Sequence, residues 1–374
     1  MPARRTAGPT LRIATFNVNG IRSRLPHLLQ WLEREQPDIA CLQELKAVDE
    51  GFPIDEIRAA GYGALWHGQR SWNGVAILSR GGDPVESRRG LPGARDDVQS
   101  RYLEAAAHGV LVGCLYLPNG NPQPGPKFEY KLAWFDRLIA HAQGLFDSGH
   151  PVVLLGDYNV VPTDELDIYD PKHWRKDALL QPESRERWRT LLAQGWTDAL
   201  RTLHPDEKIF TFWDYFRNHW PRNAGLRIDH VLLNRELAPR LHSAGVDRWV
   251  RDLPGASDHA PTWVLLDMAA NGARGARKAT KGVADKATKQ VAKKVAKQVR
   301  KPVATTTTKS AAKKATKAVP KKAKKAVPKK ATKDVAKKVA KKAAKHPTSS
   351  SPRKRGSMGL QRTLDSRLRG NDGG

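Results

Sequence analysis

Six residues have side chains suited to hydrolytic chemistry, and each stands at or inside a strand-like apolar run: Glu44, Asp157, Asn159, Asp229, Asp258 and His259. Glu44 follows the run 39–42, and Gly156-Asp157-Tyr158-Asn159 closes the run that begins at 152. Asp229 lies within the apolar stretch 226–233, and Ser257-Asp258-His259 stands just before the run 262–266. Two more runs end in Phe16-Asn17-Val18-Asn19-Gly20 and in Tyr116, with Asn119 close behind. Strands paired in a sheet deliver their end residues to one rim. A rim of carboxylates, amides and one imidazole suits a bound Mg²⁺ and the hydrolysis of a phosphate ester.

Glu44 is the sharpest metal candidate. An acid directly after a buried strand meets a cation, caps a helix or faces solvent, and the set of strand ends taken together selects the cation. Mg²⁺ keeps several waters and needs few protein ligands, so Glu44 with Asn17 and Asp258 as neighbours suffices. Asp157 and Asn159, two residues apart, point the same way from an extended backbone. There the carboxylate can orient or deprotonate the attacking water, and the amide can stabilise charge on phosphate oxygens. An Asx-turn is the plainer alternative for Gly-Asp-x-Asn.

Asp229 inside an apolar run needs a partner. Pairing with His259 would fix the imidazole tautomer and leave it a donor to the scissile phosphate; a purely structural His–Asp pair is the alternative. Tyr116 and Asn119 are placed to hydrogen-bond phosphate, although Tyr116 alone also reads as a half-buried strand aromatic. The segment 210–216, followed by Arg217, His219, Trp220 and Arg222, mixes rings with cations. Most of it must be core, while Phe212 or Trp213 is expected to line a pocket for a sugar or an unstacked base.

The elements that must position these groups are short, β-branched runs bounded by Gly, Pro, Asn or Asp. They fall at 11–16, 38–42, 74–78, 101–107, 110–117, 152–156, 227–233 and 262–266. Helical periodicity appears at 25–35, 128–146 and 183–194. His108-Gly109 joins two of the runs as an antiparallel hairpin. The mixture predicts an α/β protein with a mixed sheet, or two sheets packed together with helices outside. The Pro/Gly/Asn loop 118–128 and the irregular stretch 160–176 leave strand ends that carry candidate chemistry, and both are expected to wall a substrate groove.

Charge divides the chain. Residues 271–374 hold 33 Lys+Arg against 4 Asp, a net of +29, whereas residues 1–270 hold 32 basic against 34 acidic groups, a net of −2. All 11 Trp precede residue 271, as do all Phe and Tyr, so a neutral aromatic globule carries a polycation with no ring to bury. Ala-Lys-Lys and Val-Ala-Lys-Lys recur irregularly in that polycation, which is expected to be disordered. Cys41 and Cys114 sit in apolar runs and read as core thiols of a reducing compartment. No charged-then-apolar leader opens the chain and no apolar run is long enough to span a bilayer, which predicts a cytoplasmic, nucleoid-associated protein.

Six segments, in order and spacing, resemble the exonuclease III family of apurinic/apyrimidinic endonucleases. They are Phe16-Asn17-Val18-Asn19-Gly20-Ile21-Arg22, Leu42-Gln43-Glu44-Leu45-Lys46, Trp72-Asn73-Gly74-Val75-Ala76-Ile77, Gly156-Asp157-Tyr158-Asn159, Arg227-Ile228-Asp229-His230 and Ser257-Asp258-His259-Ala260-Pro261. The resemblance implies a four-layered α/β sandwich of the DNase I-like type, two mixed β-sheets flanked by helices, with the site at one rim. It implies Mg²⁺-dependent cleavage, with Mn²⁺ as the alternative ion, of the phosphodiester 5′ to an abasic site, leaving a 3′-hydroxyl. It also implies 3′→5′ exonuclease and 3′-phosphatase activities on double-stranded DNA, in base excision repair.

Roles follow from the same resemblance. Glu44 is the metal ligand, with Asn17 and Asp258 close to it. Asp157 acts on the water or the leaving group, Asn159 on the transition state, Tyr116 and Asn119 on phosphate, and His259, held by Asp229, on the scissile phosphate. Asp157, Asn159 and His259 also offer ligands to a second metal position. Phe212, Trp213, Leu226 and Ile228 fall where the sugar pocket is expected. One departure stands out: some members carry Trp where this chain has Leu226, so an aromatic wall is lost.

The expected domains are a flexible N-terminus at 1–10, a catalytic domain at 11–268 and a disordered Lys/Ala-rich DNA-binding tail at 269–374, which resembles the tails of linker histones. The expected partner is duplex DNA with abasic sites or blocked 3′ ends, bound by a monomer away from membranes. Two rivals remain: a sphingomyelinase or inositol-phosphate phosphatase with the same rim, and a nucleoid-compacting protein carrying a weakly active nuclease domain. The Leu42-Gln43-Glu44-Leu45-Lys46 segment and the tail favour nucleic acid over the first. The intact rim opposes the second.

Overall fold

Strands buried on both faces make continuous apolar runs, and those runs form the centre of this molecule. The computed structural model describes residues 9–268. The expected tail and most of the expected flexible start lie outside the described residues, but Thr10 already pairs with Asp267. The first half contains β1 (Thr10–Asn17), α1 (Ile21–Glu35), β2 (Ile39–Gln43), α2 (Ile54–Ala59), β3 (Tyr62–His67), β4 (Val75–Arg80), β5 (Val85–Arg89), β6 (Tyr102–Ala107) and β7 (Val110–Tyr116). The second half contains α3 (Pro126–Phe146), β8 (Val152–Asp157), α4 (Pro171–Trp174), α5 (Pro182–Ala193), β9 (Thr197–Asp198), α6 (Ala199–Leu203), β10 (Asp229–Leu233), β11 (Leu241–Val246) and β12 (Thr262–Asp267).

The strands build two six-stranded sheets, ordered β11-β12-β1-β2-β4-β3 and β5-β6-β7-β8-β10-β9. β1 with β2, and β7 with β8, run parallel; the other pairs among the described residues are antiparallel, including the β6–β7 hairpin with Ala107 opposite Val110. Both sheets are therefore mixed. Side chains alternate between faces, so Ile13, Ile39, Cys41, Val112, Cys114 and Val231 meet between the sheets. The alternate positions Ala14, Phe16, Ala40 and Leu42 pack outward with Leu28, Trp31 and Leu32 of α1. On the other side, Leu111, Leu115 and Leu154 pack with Trp134, Phe135 and Leu138 of α3 and Trp188 of α5. Helix, sheet, sheet and helix make the four-layered sandwich.

Several elements differ from the sequence reading. β3, β5, β9 and β11 do not appear in it, and they are the four sheet edges. Edge strands have one paired side and tolerate charge, as in Val-Glu-Ser-Arg-Arg of β5. Helix α1 begins at Ile21 rather than 25 and carries Pro26 inside it; a proline is at home in a first turn, so the pattern reads as though the helix opened beside it. Within the stretch read as irregular, Asp170 caps α4 by accepting the backbone N–H of Lys172.

Topology explains the rim. Parallel β1, β2, β7 and β8 all end there, in Asn17, Gln43, Tyr116 and Asp157. Antiparallel β10 and β12 start there, with Asp229 opposite Asp157 and Thr262 opposite Thr15.

Candidate active site

Asn17, buried at the end of β1, ties the two sheets' acids together. Its Nδ2 donates to Glu44 Oε1 at 3.1 Å and to Asp157 Oδ2 at 3.0 Å. Tyr116 O–H also donates to Glu44 Oε1, at 2.7 Å, and Lys46 Nζ stands 2.8 Å from Glu44 Oε2. Burial works against the charge on Glu44, but Lys46 and the Asn17 donor outweigh it and hold the carboxyl below its ordinary pKa. The same surroundings push the Tyr116 hydroxyl well up, through burial and the charges of Glu44 and Asp157.

Across the pocket, Asp229 Oδ2 lies 2.8 Å from His259 Nδ1, and His259 Nε2 lies 3.8 Å from Asp157 Oδ2. All three side chains are buried. Burial opposes a charged imidazole, yet Asp229, through charge and hydrogen bond, and then Asp157 and Asp258 push His259 up to about 10. Asp157 is pushed up to about 7, chiefly by burial and further by Asp229 and Glu44, against the pull of His259 and the Asn159 N–H. Gly156 lets this acid sit so close to β7, since a Cβ there would fall 1.9 Å from Leu115 O.

Asp157 and Asn159 meet, but not along extended backbone. Asn159 is left-handed at φ 46°, and its N–H donates to Asp157 Oδ1 at 2.9 Å in an Asx-turn. Its amide is also engaged: Asn119 Nδ2 donates to Asn159 Oδ1 at 3.1 Å, and Asn159 Nδ2 donates to Leu117 O at 2.9 Å. Asp258 Oδ1 accepts from Asn19 Nδ2 at 2.9 Å, and Asn19 Oδ1 accepts from Lys46 Nζ at 2.5 Å.

One cavity of about 190 Å³ collects these groups. It is lined by the polar groups Glu44, Tyr116, Asn119, Asp157, Asn159, Asp177, Asp258 and His259 and by the apolar side chains Trp174, Leu179, Phe212 and Ile228. The Phe212 ring meets the His259 ring at 5.0 Å and Trp174 at 6.4 Å, both edge to face.

Two of the expected pocket residues do not reach this cavity. Trp213 is fully buried, edge-on to Trp220 at 4.7 Å, with its Nε1 donating to Asn223 at 3.1 Å. Adjacent residues of an extended segment face opposite ways, and Phe212 takes the pocket side. Leu226 is buried beneath Phe212, with which it forms a β-bridge. Asn19 and Lys46 lie in the motif segments without an assigned role, and Trp174, Asp177 and Leu179 carry no sequence signal for the site. The position of Lys46, two residues after Glu44, was a usable signal, whereas nothing periodic marks the loop that brings the last three.

The donors fit a divalent cation. Ligand atoms of Asp157, Asp229 and His259 all lie within 4.8 Å of one another, and Asp229 Oδ1 is buried with no hydrogen-bond partner. This group includes Asp229, which the sequence casts only as a partner of His259, and does not include Glu44, which Asn17 Nδ2 links to Asp157. An imidazolium donates at both nitrogens and ligates nothing, so His259 as phosphate donor and His259 as ligand are different protonation states.

A two-sheet sandwich whose rim gathers buried carboxylates, amides and an imidazole defines a phosphoester hydrolase. The Endonuclease/Exonuclease/phosphatase family matches residues 14–259. Exodeoxyribonuclease III of Haemophilus influenzae is 34% identical over 265 residues, covering 68% of this chain and 98% of its own. DNA repair nuclease APEX1 of Danio rerio is 33% identical, covering 68% of this chain and 82% of its own. The 3′ phosphatase NExo from Neisseria, solved with a product DNA hairpin, superposes with a TM-score of 0.66 at 38% identity over 69% of this chain and 99% of its own. The chain belongs to the endonuclease/exonuclease/phosphatase family, in its exodeoxyribonuclease III branch, and is a hydrolytic nuclease. The family is divalent-metal dependent.

Proposed function

We propose that this nuclease incises duplex DNA 5′ to abasic sites, leaving a 3′-hydroxyl, and removes nucleotides and phosphates from 3′ ends in base excision repair. The observation that carries this reading is the mixed lining of one small cavity. Groups suited to phosphate share the cavity with Trp174, Leu179, Phe212 and Ile228, and a space so small suits a sugar that has lost its base. Next to it a larger cavity of about 630 Å³, sharing Trp174 and Asp177, is lined by His173, Lys176, Phe216, Arg217 and His219. Cations interleaved with rings favour a nucleic-acid strand over a small phosphate ester.

Asp157, poised near neutrality, takes the proton of the attacking water. His259, kept protonated by Asp229, donates to the non-bridging oxygen on which charge grows. Asn119 and Asn159 supply amide donors to the phosphate, and Tyr116 reaches it from its anchor on Glu44. Glu44, Asn17 and Asp258, or Asp157, Asn159, Asp229 and neutral His259, would hold Mg²⁺, with Mn²⁺ as the alternative, which would supply positive charge for the phosphate oxygens and favour ionised Asp157.

A second reading rests on charge. The +29 of residues 271–374 suits a polyanion, so we further propose nucleoid association in the cytoplasm through that segment. Duplex DNA with one abasic analogue, offered with Mg²⁺ beside an inositol phosphate and sphingomyelin, tests the first reading. Incision of the DNA alone, abolished by EDTA, is expected; turnover of only the lipid or inositol substrate overturns it.

A further inference from the structure

Lys131 of α3 is fully buried, and its ammonium meets only uncharged partners. Nζ donates to the backbone carbonyls of Asn159 at 2.6 Å, Asn119 at 3.0 Å and Ala178 at 3.2 Å. Asp177 and Asp157 act on it through charge alone, and burial draws its pKa down to about 7. Three carbonyls accept and donate nothing, so the arrangement uses all three protons of the ammonium. Burying such a cation costs several kcal/mol before hydrogen bonds offset it; a core that needed only volume would carry leucine or methionine.

The three carbonyls belong to three separate loops, and each loop brings side chains to the catalytic cavity. Asn119 follows β7, Asn159 follows β8, and Ala178 sits between Asp177 and Leu179 ahead of α5. The first loop wraps tightly on the lysine stem: Gly120, at φ 90°, would place a Cβ 2.6 Å from Lys131 Cδ. Asn159 holds its left-handed conformation with its carbonyl on Nζ. One ammonium therefore joins the backbone of both phosphate-facing asparagines to the apolar wall.

We propose that Lys131 is a positioning residue that sets the Asn119, Asn159 and 177–179 walls of the pocket relative to one another, so that the phosphate meets both amides at once. The role rests on the pocket being the site of phosphodiester hydrolysis. A misplacement of about 1 Å at such a site costs on the order of 10²-fold in rate. Lys131→Met keeps the stem and removes the donors.

In the full-length protein, Lys131→Met is expected to lower kcat by about 10²-fold with KM changed far less, and Lys131→Arg to restore part of the loss. Amide hydrogen exchange should rise at 118–121, 159–162 and 177–180 while both sheets stay protected. In a double-mutant cycle, Asn119→Ala should cost little in the Lys131→Met background, because the amide is already displaced. Should Lys131→Met fail to fold, Gly120→Ala displaces the same clamp from the loop side and should show the same kcat loss and the same local exchange. Wild-type kcat in a folded Lys131→Met protein, or exchange that rises uniformly or not at all, overturns the proposal. The exchange readout needs no substrate, so it stands even where wild-type protein ignores abasic DNA, an outcome that removes only the substrate assignment.

Discussion

The candidate site is built from two sides of the fold, one of strand ends and one of loops, with different foundations. Asn17, Asp157, Tyr116 and Asp229 stand on strand termini inside sheet ladders, with Glu44 and His259 one or a few residues beyond. Asn119, Trp174, Leu179 and Phe212 come from loops and the single turn of α4, held by side chain–backbone contacts such as those of Lys131 and Asn121. The first side is fixed by the sheet ladders, and the second by loop contacts that reach it, as in the bridge of Phe212 to His259 and the bond of Asn119 to Asn159. On the proposed mechanism the base Asp157 and the donor His259 belong to the first side, while the apolar contacts to the sugar and the Asn119 amide come from the second.

Asp157→Asn should break the fixed side most completely. Loss of a positioned general base costs about 10²–10⁴-fold, so single-turnover incision should fall by that factor while DNA retention in a gel-shift assay persists. Incision at the wild-type rate would remove Asp157 from the reaction. Asp229→Asn should act through His259. Asp229 raises the imidazole to about 10, so a reaction that needs the imidazolium holds its rate as pH rises and loses it only near 10. Without that charge the pKa returns toward about 6.5, and at pH 8 the protonated fraction and the rate should drop about 30-fold. The alkaline limb of the pH–rate profile checks this. An unmoved limb would mean that His259 works neutral.

The same division decides what the sequence reveals. Strands buried on both faces read plainly as apolar runs, and a polar residue at the end of such a run is conspicuous. That is why Asn17, Glu44, Asp157 and His259 are visible without coordinates. Asp229 is visible for a different reason, as a charge inside an apolar stretch. β3, β5, β9 and β11 are hidden because an edge has no second neighbour to demand apolar residues. Trp174, Asp177 and Leu179 are hidden because their loop has no period. Between Phe212 and Trp213, composition favours neither; only the bridge of Phe212 to Leu226 and His259 decides which ring faces the cavity.

Phe212→Ala sharpens the comparison from the loop side. Removing a ring that stacks on a base forfeits roughly 1–3 kcal/mol, about 5- to 150-fold in affinity, and a ring on a bare sugar is expected toward the lower end. The loss should fall on kcat/KM for abasic duplex more than on removal of a 3′-phosphate, which on the proposed mechanism calls on Tyr116, Asn119, Asn159 and His259 rather than on the ring. Parallel kinetics on the two substrates measure the split, and equal losses would show that the ring supports His259 rather than the sugar.

Ending the chain at Met268 should disturb chemistry least, because every residue of the cavity precedes that point. What it removes is charge. Residues 1–270 carry −2 and residues 271–374 carry +29, so long-range attraction to DNA is expected from the second part. Each phosphate neutralised by a lysine or arginine contributes about −0.9 to the slope of log K against log salt. The shortened protein should therefore bind with a flatter salt dependence and keep its saturated turnover at low salt. Titrations of both forms across a salt series decide it: equal slopes would confine DNA recognition to the groove beside Trp174, and a collapse of turnover at low salt would make the basic segment part of the catalytic unit.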